Sequence, residues 1–251
     1  MENQNFDKYF AERHSYRTFD EKPVSREVIS DIIRLAMRAP TTGNMQLYSV
    51  LVCDQEEMLM KLRPLHFNQP ASKNAKAIIT VCADFNRFAR WCRLSNADPG
   101  YENFLSFTSA MLDATILAQQ ITTIAEMKGF GTCYLGTATY NADKISELLG
   151  LPEMVVPVAC LAIGWPAGEA EETERLPLEA VCTFGRYPEF SDDDILRLYE
   201  AKDKFPANSK YVEENGKQSL AQVFTDVRYP KAMNEEFSAK FLQLLKEKKF
   251  L

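Results

Sequence analysis

Apolar positions crowd one stretch of the chain more densely than any other. In FLSFTSAMLDATILAQQITTIAEMK, residues 104–128, Phe104, Leu105, Phe107, Met111, Leu112, Ile116, Leu117, Ile121 and Ile124 fall on nearly every face of a helix. A surface helix carries one apolar stripe, so a helix apolar almost all round belongs in an interior. Asp113, Gln119, Gln120 and Glu126 interrupt it, which argues against a membrane span. Gly129 supplies a left-handed end to the helix, and Gly131 leads into a short apolar segment, TCYLG. A homodimer sharing its core would bury such a helix more easily than one chain alone, and a dimer is expected.

The remaining pattern predicts a helix-rich mixture of helix and sheet. An opening segment, KYFAERHSYRTF (8–19), precedes a helix begun by Ser25 as N-cap, with Val28, Ile29, Ile32, Ile33, Ala36 and Met37 at helical spacing before Pro40. YSVLVC (48–53), AIITVCAD (77–84) and VVPVACLAIGW (155–165) read as strands, the last with a bulge or edge at Pro157. Asp54 with Glu57 suggests an acidic capping box for a helix carrying Met58, Leu59 and Leu62. Residues 86–101 read as irregular, a candidate lid, and Asn141 as the cap of a short helix ended by Gly150. From about residue 190 the chain reads as a C-terminal extension of surface helices joined by polar linkers, within a single domain spanning 1–251.

Composition then narrows the chemistry. A net charge of -6 gives no basic face for nucleic acid. No signal peptide or membrane span is expected, and six cysteines without a C-x-x-C pair suggest reduced thiols in a cytoplasmic protein. With only His14 and His66, and no H-E-x-x-H, G-x-S-x-G, phosphate loop or G-x-G-x-x-G, the usual hydrolytic, zinc and nucleotide signatures are missing. A cofactor that brings its own reactivity fits that gap.

One constellation is present. In an extended segment Arg13, Ser15 and Arg17 project to one side, with His14 between them; two guanidinium groups and a hydroxyl suit a phosphate and its polyol, or form a solvated basic patch. Thr41, Thr42, Gly43, Asn44 and Gln46 gather small hydrogen-bonding groups between a helix and a strand, as a turn or a ligand loop. Arg175 offers a further cation, or is an ordinary surface arginine.

RHSYRTF, APTTGNMQ, GFGTCYLG, LAIGWPAG and an arginine before LP, in that order over roughly the first 180 residues, resemble the flavin-dependent nitroreductase family. CADFNR and GWPA…RLP are similar to its branch of oxygen-insensitive NAD(P)H nitroreductases and flavin reductases. The resemblance implies an α+β fold: a central mixed antiparallel sheet flanked by helices, in an intertwined homodimer with FMN in two equivalent clefts. Arg13, His14, Ser15 and Arg17 would hold the ribityl phosphate and pyrimidine edge, with Arg17 stabilising the charge of reduced flavin. Thr41, Thr42 and Asn44 would reach the flavin from the other subunit. Gln69 would bond the ring edge, Tyr134, Leu135 and Gly136 would lie along the isoalloxazine, and Arg175 would complete the phosphate clamp. No protein acid or base and no metal is implied.

The activity implied is hydride transfer from NADPH or NADH to nitroaromatic, quinone or flavin acceptors by a two-step exchange. A non-turnover flavin-binding protein, or a specialised reductase or dehalogenase on the same scaffold, is the alternative. Two departures stand out. Thr173 replaces a phosphate-site lysine, and GKQSLAQ offers only Lys217 where an arginine pair for NADPH is expected, which leaves NADH use open.

Overall fold

The computed structural model describes residues 4–251, and these divide into two compact units, one ending at Glu171 and resuming at Phe237, the other running from Glu172 to Glu236. In the first unit the helices are α1 (Gln4–Ala11), α2 (Arg26–Ala36), α3 (Glu56–Leu65), α4 (Pro70–Asn74), α5 (Asn86–Leu94), α6 (Phe104–Met127) and α7 (Ala142–Leu148). Its strands are β1 (Tyr48–Cys53), β2 (Ala77–Asp84), β3 (Gly131–Tyr134) and β4 (Val155–Gly164).

The strands form one sheet in the order β1-β2-β4-β3, each neighbouring pair antiparallel. Alternation assigns the two faces. Ile79 opposite Leu161 and Val81 opposite Ala159 join α2 and α6 in one core, with Ile32, Leu117 and Ile121. Ile78 opposite Ala162 turns to the other face, where Leu59, Leu62, Ala71 and Ile145 of α3, α4 and α7 meet it. Strands buried on both faces need near-continuous apolar runs, and β2 and β4 have them. The register slips between Val81 and Cys82, where Cys82 faces Pro157, so the proline produces the bulge expected of it.

Several boundaries differ from the sequence pattern. Residues 8–11 of the opening segment are helical, as the end of α1, and so are residues 86–94, where Ala89 and Cys92 face inward. Gln55, not Asp54, is the N-cap of α3; Asp54 instead takes a two-pronged ion pair from Arg26, with Nη2 donating at 2.8 Å. Ser25 caps α2 by accepting from the Val28 amide, as its position suggests.

The second unit contains α8 (Leu178–Val181), α9 (Asp192–Asp203), α10 (Pro206–Glu214) and α11 (Leu220–Val223). Ser191 and Asp194 form a reciprocal capping box on α9. The stretches between the predicted tail helices are therefore helical as well, not plain linkers. Within it Leu178, Val181, Phe184 and Tyr187 stand exposed. A last helix, α12 (Lys231–Glu247), carries the chain back to the first unit, where Leu244, Leu245 and Phe250 pack with Leu47, Phe107 and Val156. No helix among the described residues is long and apolar enough to cross a membrane.

Helix α6 is only half enclosed. Phe107, Ala110, Ala114, Leu117, Ile121 and Ala125 are buried, whereas Leu105, Leu112 and Ile116 are 75%, 58% and 41% exposed. One chain thus covers one face of the helix and leaves a second apolar face bare.

Candidate active site

The opening segment owes its position to two glycines. Gly131 of β3 lies opposite Gly164 of β4, and a Cβ on either would sit 2.8 Å from Tyr16 Cβ or 2.7 Å from Phe19 Cβ. Their bare backbone lets residues 16–19 lie directly on the strand ends. The Tyr16 amide donates to Thr132 O at 3.0 Å, and Phe19 bridges to Pro166. Arg13 to Arg17 are thereby laid beside β3 and the turn that follows it.

Arg13 is anchored from within. Its Nε lies 3.2 Å from Oε2 of Glu126, whose side chain is 6% exposed near the end of α6. Among the described residues nothing bonds its two terminal amino groups or the Ser15 hydroxyl. His14 Nδ1 is buried with no hydrogen-bond partner. Arg17 is exposed and pairs with Glu171 through Nη1 at 3.2 Å, an open ion pair that a ligand can displace at little cost.

After β3, the Leu135 amide donates to Cys160 O at 2.8 Å and its side chain enters the core, so only its main chain can face a ligand. Gly136 is open on its free side. Tyr134 is 37% exposed; burial pushes its phenol up to about 12, with Arg13 and Glu126 both close enough to act on it. Burial likewise raises the Cys133 thiol, which keeps it in the unreactive protonated form.

Gln69 stands at the start of α4, and a bracket ties its loop to the Gly136 turn. His66 Nδ1 meets Thr137 Oγ1 at 2.8 Å, and Asn141 Nδ2 donates to Leu65 O at 2.7 Å. His66 is fully buried, its Nε2 has no partner, and burial lowers it to about 4, so the ring is neutral. Phe237 completes this wall by stacking on Tyr140 at 4.7 Å and approaching Phe67 at 6.1 Å.

The threonine loop lies elsewhere. Asp113, 2% exposed, accepts from the Thr42 amide at 2.8 Å, the Thr42 hydroxyl at 2.9 Å and the Leu47 amide at 3.3 Å. Thr42 therefore anchors the loop, while Thr41 Oγ1 is buried without a partner and Asn44 is exposed. Gly43, Asn44 and Gln46 all hold left-handed φ near 55°. Such a backbone persists only when its surroundings fix it, and Asp113, with Arg87 Nη2 donating to Gln46 O at 2.8 Å, does so.

Asp113 and Glu126 are about 20 Å apart along α6, at roughly 1.5 Å per residue. Within one chain the threonine loop is therefore held near the middle of α6 and the Arg13 segment at its C-terminal end. Arg175 belongs to the second unit, where its Nη1 donates to the Thr173 hydroxyl at 2.9 Å and to Glu174 O at 2.8 Å. Lys217 there is paired with Asp226 at 2.9 Å.

Sequence reading missed Glu126, Asp113, His66 and Arg87 as supports of the site. The only signal for the first two was a carboxylate inside an otherwise apolar helix, a position that demands a buried donor. The orphaned His14 and Thr41 atoms, the free fork of Arg13 and the open Gly136 fit a phosphorylated, hydrogen-bonding ring ligand such as FMN.

Comparison with known proteins identifies the family. The nitroreductase family profile matches residues 10–165. An FMN reductase [NAD(P)H] of Bacillus subtilis is 30% identical over 232 residues, covering 89% of this chain and 92% of its own. A crystal structure from Bacteroides fragilis superposes with a TM-score of 0.95 at 41% identity, covering 97% of this chain and 99% of that one. A nitroreductase of Bacillus subtilis superposes at 0.85 and 27% identity, covering 97% and 98%. With the profile reaching from the segment of Arg13 to the end of β4, and the fold shared along almost the whole chain, this protein belongs to the nitroreductase family.

Proposed function

We propose that this chain is an FMN-dependent oxidoreductase that passes electrons from NADPH or NADH to nitroaromatic, quinone or free flavin acceptors. The observation that carries the reading is the donor set of Arg13, His14, Ser15 and Arg17, in which His14 Nδ1 has no partner and Arg17 is held only by an open ion pair to Glu171. Bound flavin supplies the two-electron chemistry that no side chain of this protein offers.

The protein's share is binding and electrostatics. Arg13 and Ser15 take the phosphate and polyol, and Gln69 and the Gly136 main chain meet the ring edge. Arg17, released from Glu171, places a positive charge where the ring gains negative charge. His66 and Thr137 keep the Gln69 loop and the Gly136 turn in register.

The functional unit is a homodimer. The threonine loop is held at a point on α6 roughly 20 Å from the residue that holds Arg13, and Thr41 and Asn44 are assigned to the partner's ligand. The bare face of α6, with Leu105, Leu112 and Ile116, gives the second copy its apolar footing. A groove of about 700 Å3 beside β1, lined by Val50, Leu51, Leu149 and Pro152, lies along an uncharged edge strand that also calls for cover. The segment around Lys217, itself paired with Asp226 at 2.9 Å, lacks the arginine pair expected for the extra phosphate of NADPH, which leaves NADH use open. Six free thiols, five of them buried, suit the cytoplasm.

Protein purified without added cofactor, then denatured, should release FMN, and the native form should oxidise NAD(P)H faster when a quinone or nitrofuran is added. Colourless, monomeric protein indifferent to FMN would overturn the reading. Protein that binds flavin but never bleaches with either nicotinamide would mark a binding module instead.

A further inference from the structure

Glu126 meets groups from three separate segments, two as hydrogen-bond donors and one as an ion pair. Tyr9 Oη of α1 donates to Oε2 at 2.8 Å, Thr132 Oγ1 of β3 donates to Oε1 at 2.5 Å, and Arg13 Nε stands 3.2 Å from Oε2. A buried carboxylate beside an anion site is electrostatically counterproductive, since it cancels part of the arginine's charge. Its benefit must lie in placement. A free arginine side chain has rotamer entropy to lose on binding. Holding the guanidinium by Nε removes much of that loss in advance and leaves the planar pair of terminal amino groups for a bidentate contact. The two hydroxyl donors fill other lone pairs of the carboxylate and fix its orientation in turn.

Resting on the flavin reading above, we propose that Glu126 is a positioning residue for Arg13, setting the guanidinium so that the protein selects the phosphorylated flavin over the unphosphorylated one. Glu126→Gln tests this with little change of shape. The amide puts an N–H donor where the carboxylate now meets only donors, and Arg13 loses its anchor.

Full-length protein stripped of flavin is titrated with FMN and with riboflavin, which lacks the phosphate. Glu126→Gln should weaken FMN about tenfold and riboflavin no more than about twofold, collapsing the preference. Arg13→Lys, which keeps the charge but not the fork, should cost FMN a similar factor alone and nothing further on the Glu126→Gln background. Equal weakening of both flavins, no weakening, or simple additivity would each reject the role. Should Glu126→Gln fail to fold, Thr132→Val removes one donor at constant shape and should give a smaller loss of the same selectivity; an unselective loss counts against the proposal. Wild-type protein that binds neither flavin removes the flavin reading itself, and this inference with it, before any variant is made.

Discussion

Helix α6 carries two buried carboxylates that solve the same problem in different ways. Asp113 faces two backbone amides and a hydroxyl, all neutral and two of them fixed in the main chain. Glu126 faces two hydroxyls that can rotate and a guanidinium that is 22% exposed. The first arrangement fastens a loop and leaves nothing over. The second leaves a cation with unused donors. A buried acid thus fastens a loop midway along the helix and, near its C-terminal end, holds a cation with donors to spare, according to what its own donors can do elsewhere.

The sharpest way to break this comparison is to remove each acid. Asp113→Ala strands the buried Leu47 amide, frees the part-buried Thr42 amide and should cost about 4 kcal/mol of stability. Glu126→Ala should cost about half that, because its hydroxyls can turn and Arg13 can reach water. Urea unfolding of both variants decides it; equal losses would erase the distinction.

His66 sharpens the contrast from the side of a neutral group. Its folded value near 4 lies below the ordinary 6.5 because burial disfavours the imidazolium. A depressed value contributes stability that is fully present above pH 6.5 and is lost as pH falls through 4. The total is about 3 kcal/mol. His66→Gln should flatten the stability profile of that window relative to wild type, while Asp113→Ala keeps the histidine's slope. A profile unchanged by His66→Gln would show that carboxylates alone govern acid unfolding.

The strands, the capped α2 and the long α6 were legible because hydrophobic period and cap residues act locally. The helices at 4–11 and 86–94 were not; in the second, Arg87, Arg90 and Arg93 break up the apolar pattern of a helix that turns Phe88, Ala89 and Cys92 inward. Family motifs singled out Arg13, His14, Ser15 and the Thr41–Asn44 loop, within which His14 Nδ1 and Thr41 Oγ1 are buried without a partner. They could not reveal that Thr42 is already bonded to Asp113, or that Leu135 offers only its backbone. Those facts depend on partners 71 and 25 residues away, which no local pattern encodes.

Glycine substitutions probe the two regions with smaller effects. Gly131→Ala drives a methyl against Tyr16 Cβ, which is not a mobile side-chain end, and should cost about 2 kcal/mol while shifting the Arg13 segment. Gly43→Ala meets only Met45 at 3.6 Å and pays for its left-handed φ alone, about 1 kcal/mol. Flavin affinity should fall with Gly131→Ala by more than stability would suggest. Matching losses for both variants would mean that the opening segment has no special geometry to protect.

The smallest expected effect belongs to Tyr9. Burial first, and then its bond to Glu126, raise the phenol from the ordinary 10 to about 12. Both causes favour the neutral phenol in the folded state, so its contribution is complete below pH 10 and disappears as pH rises through 12. Tyr134 shares that window, so wild type must be compared with Tyr9→Phe and not read alone. At neutral pH the variant should lose about 1 kcal/mol, the value of one hydrogen bond at a partly exposed site. That gap should narrow above pH 10, because only wild type then faces the cost of a phenol kept protonated beside a carboxylate. A gap constant to pH 11 would mean that Tyr9 does not bond Glu126, and that the acid at this end of α6 is held by Arg13 and Thr132 alone.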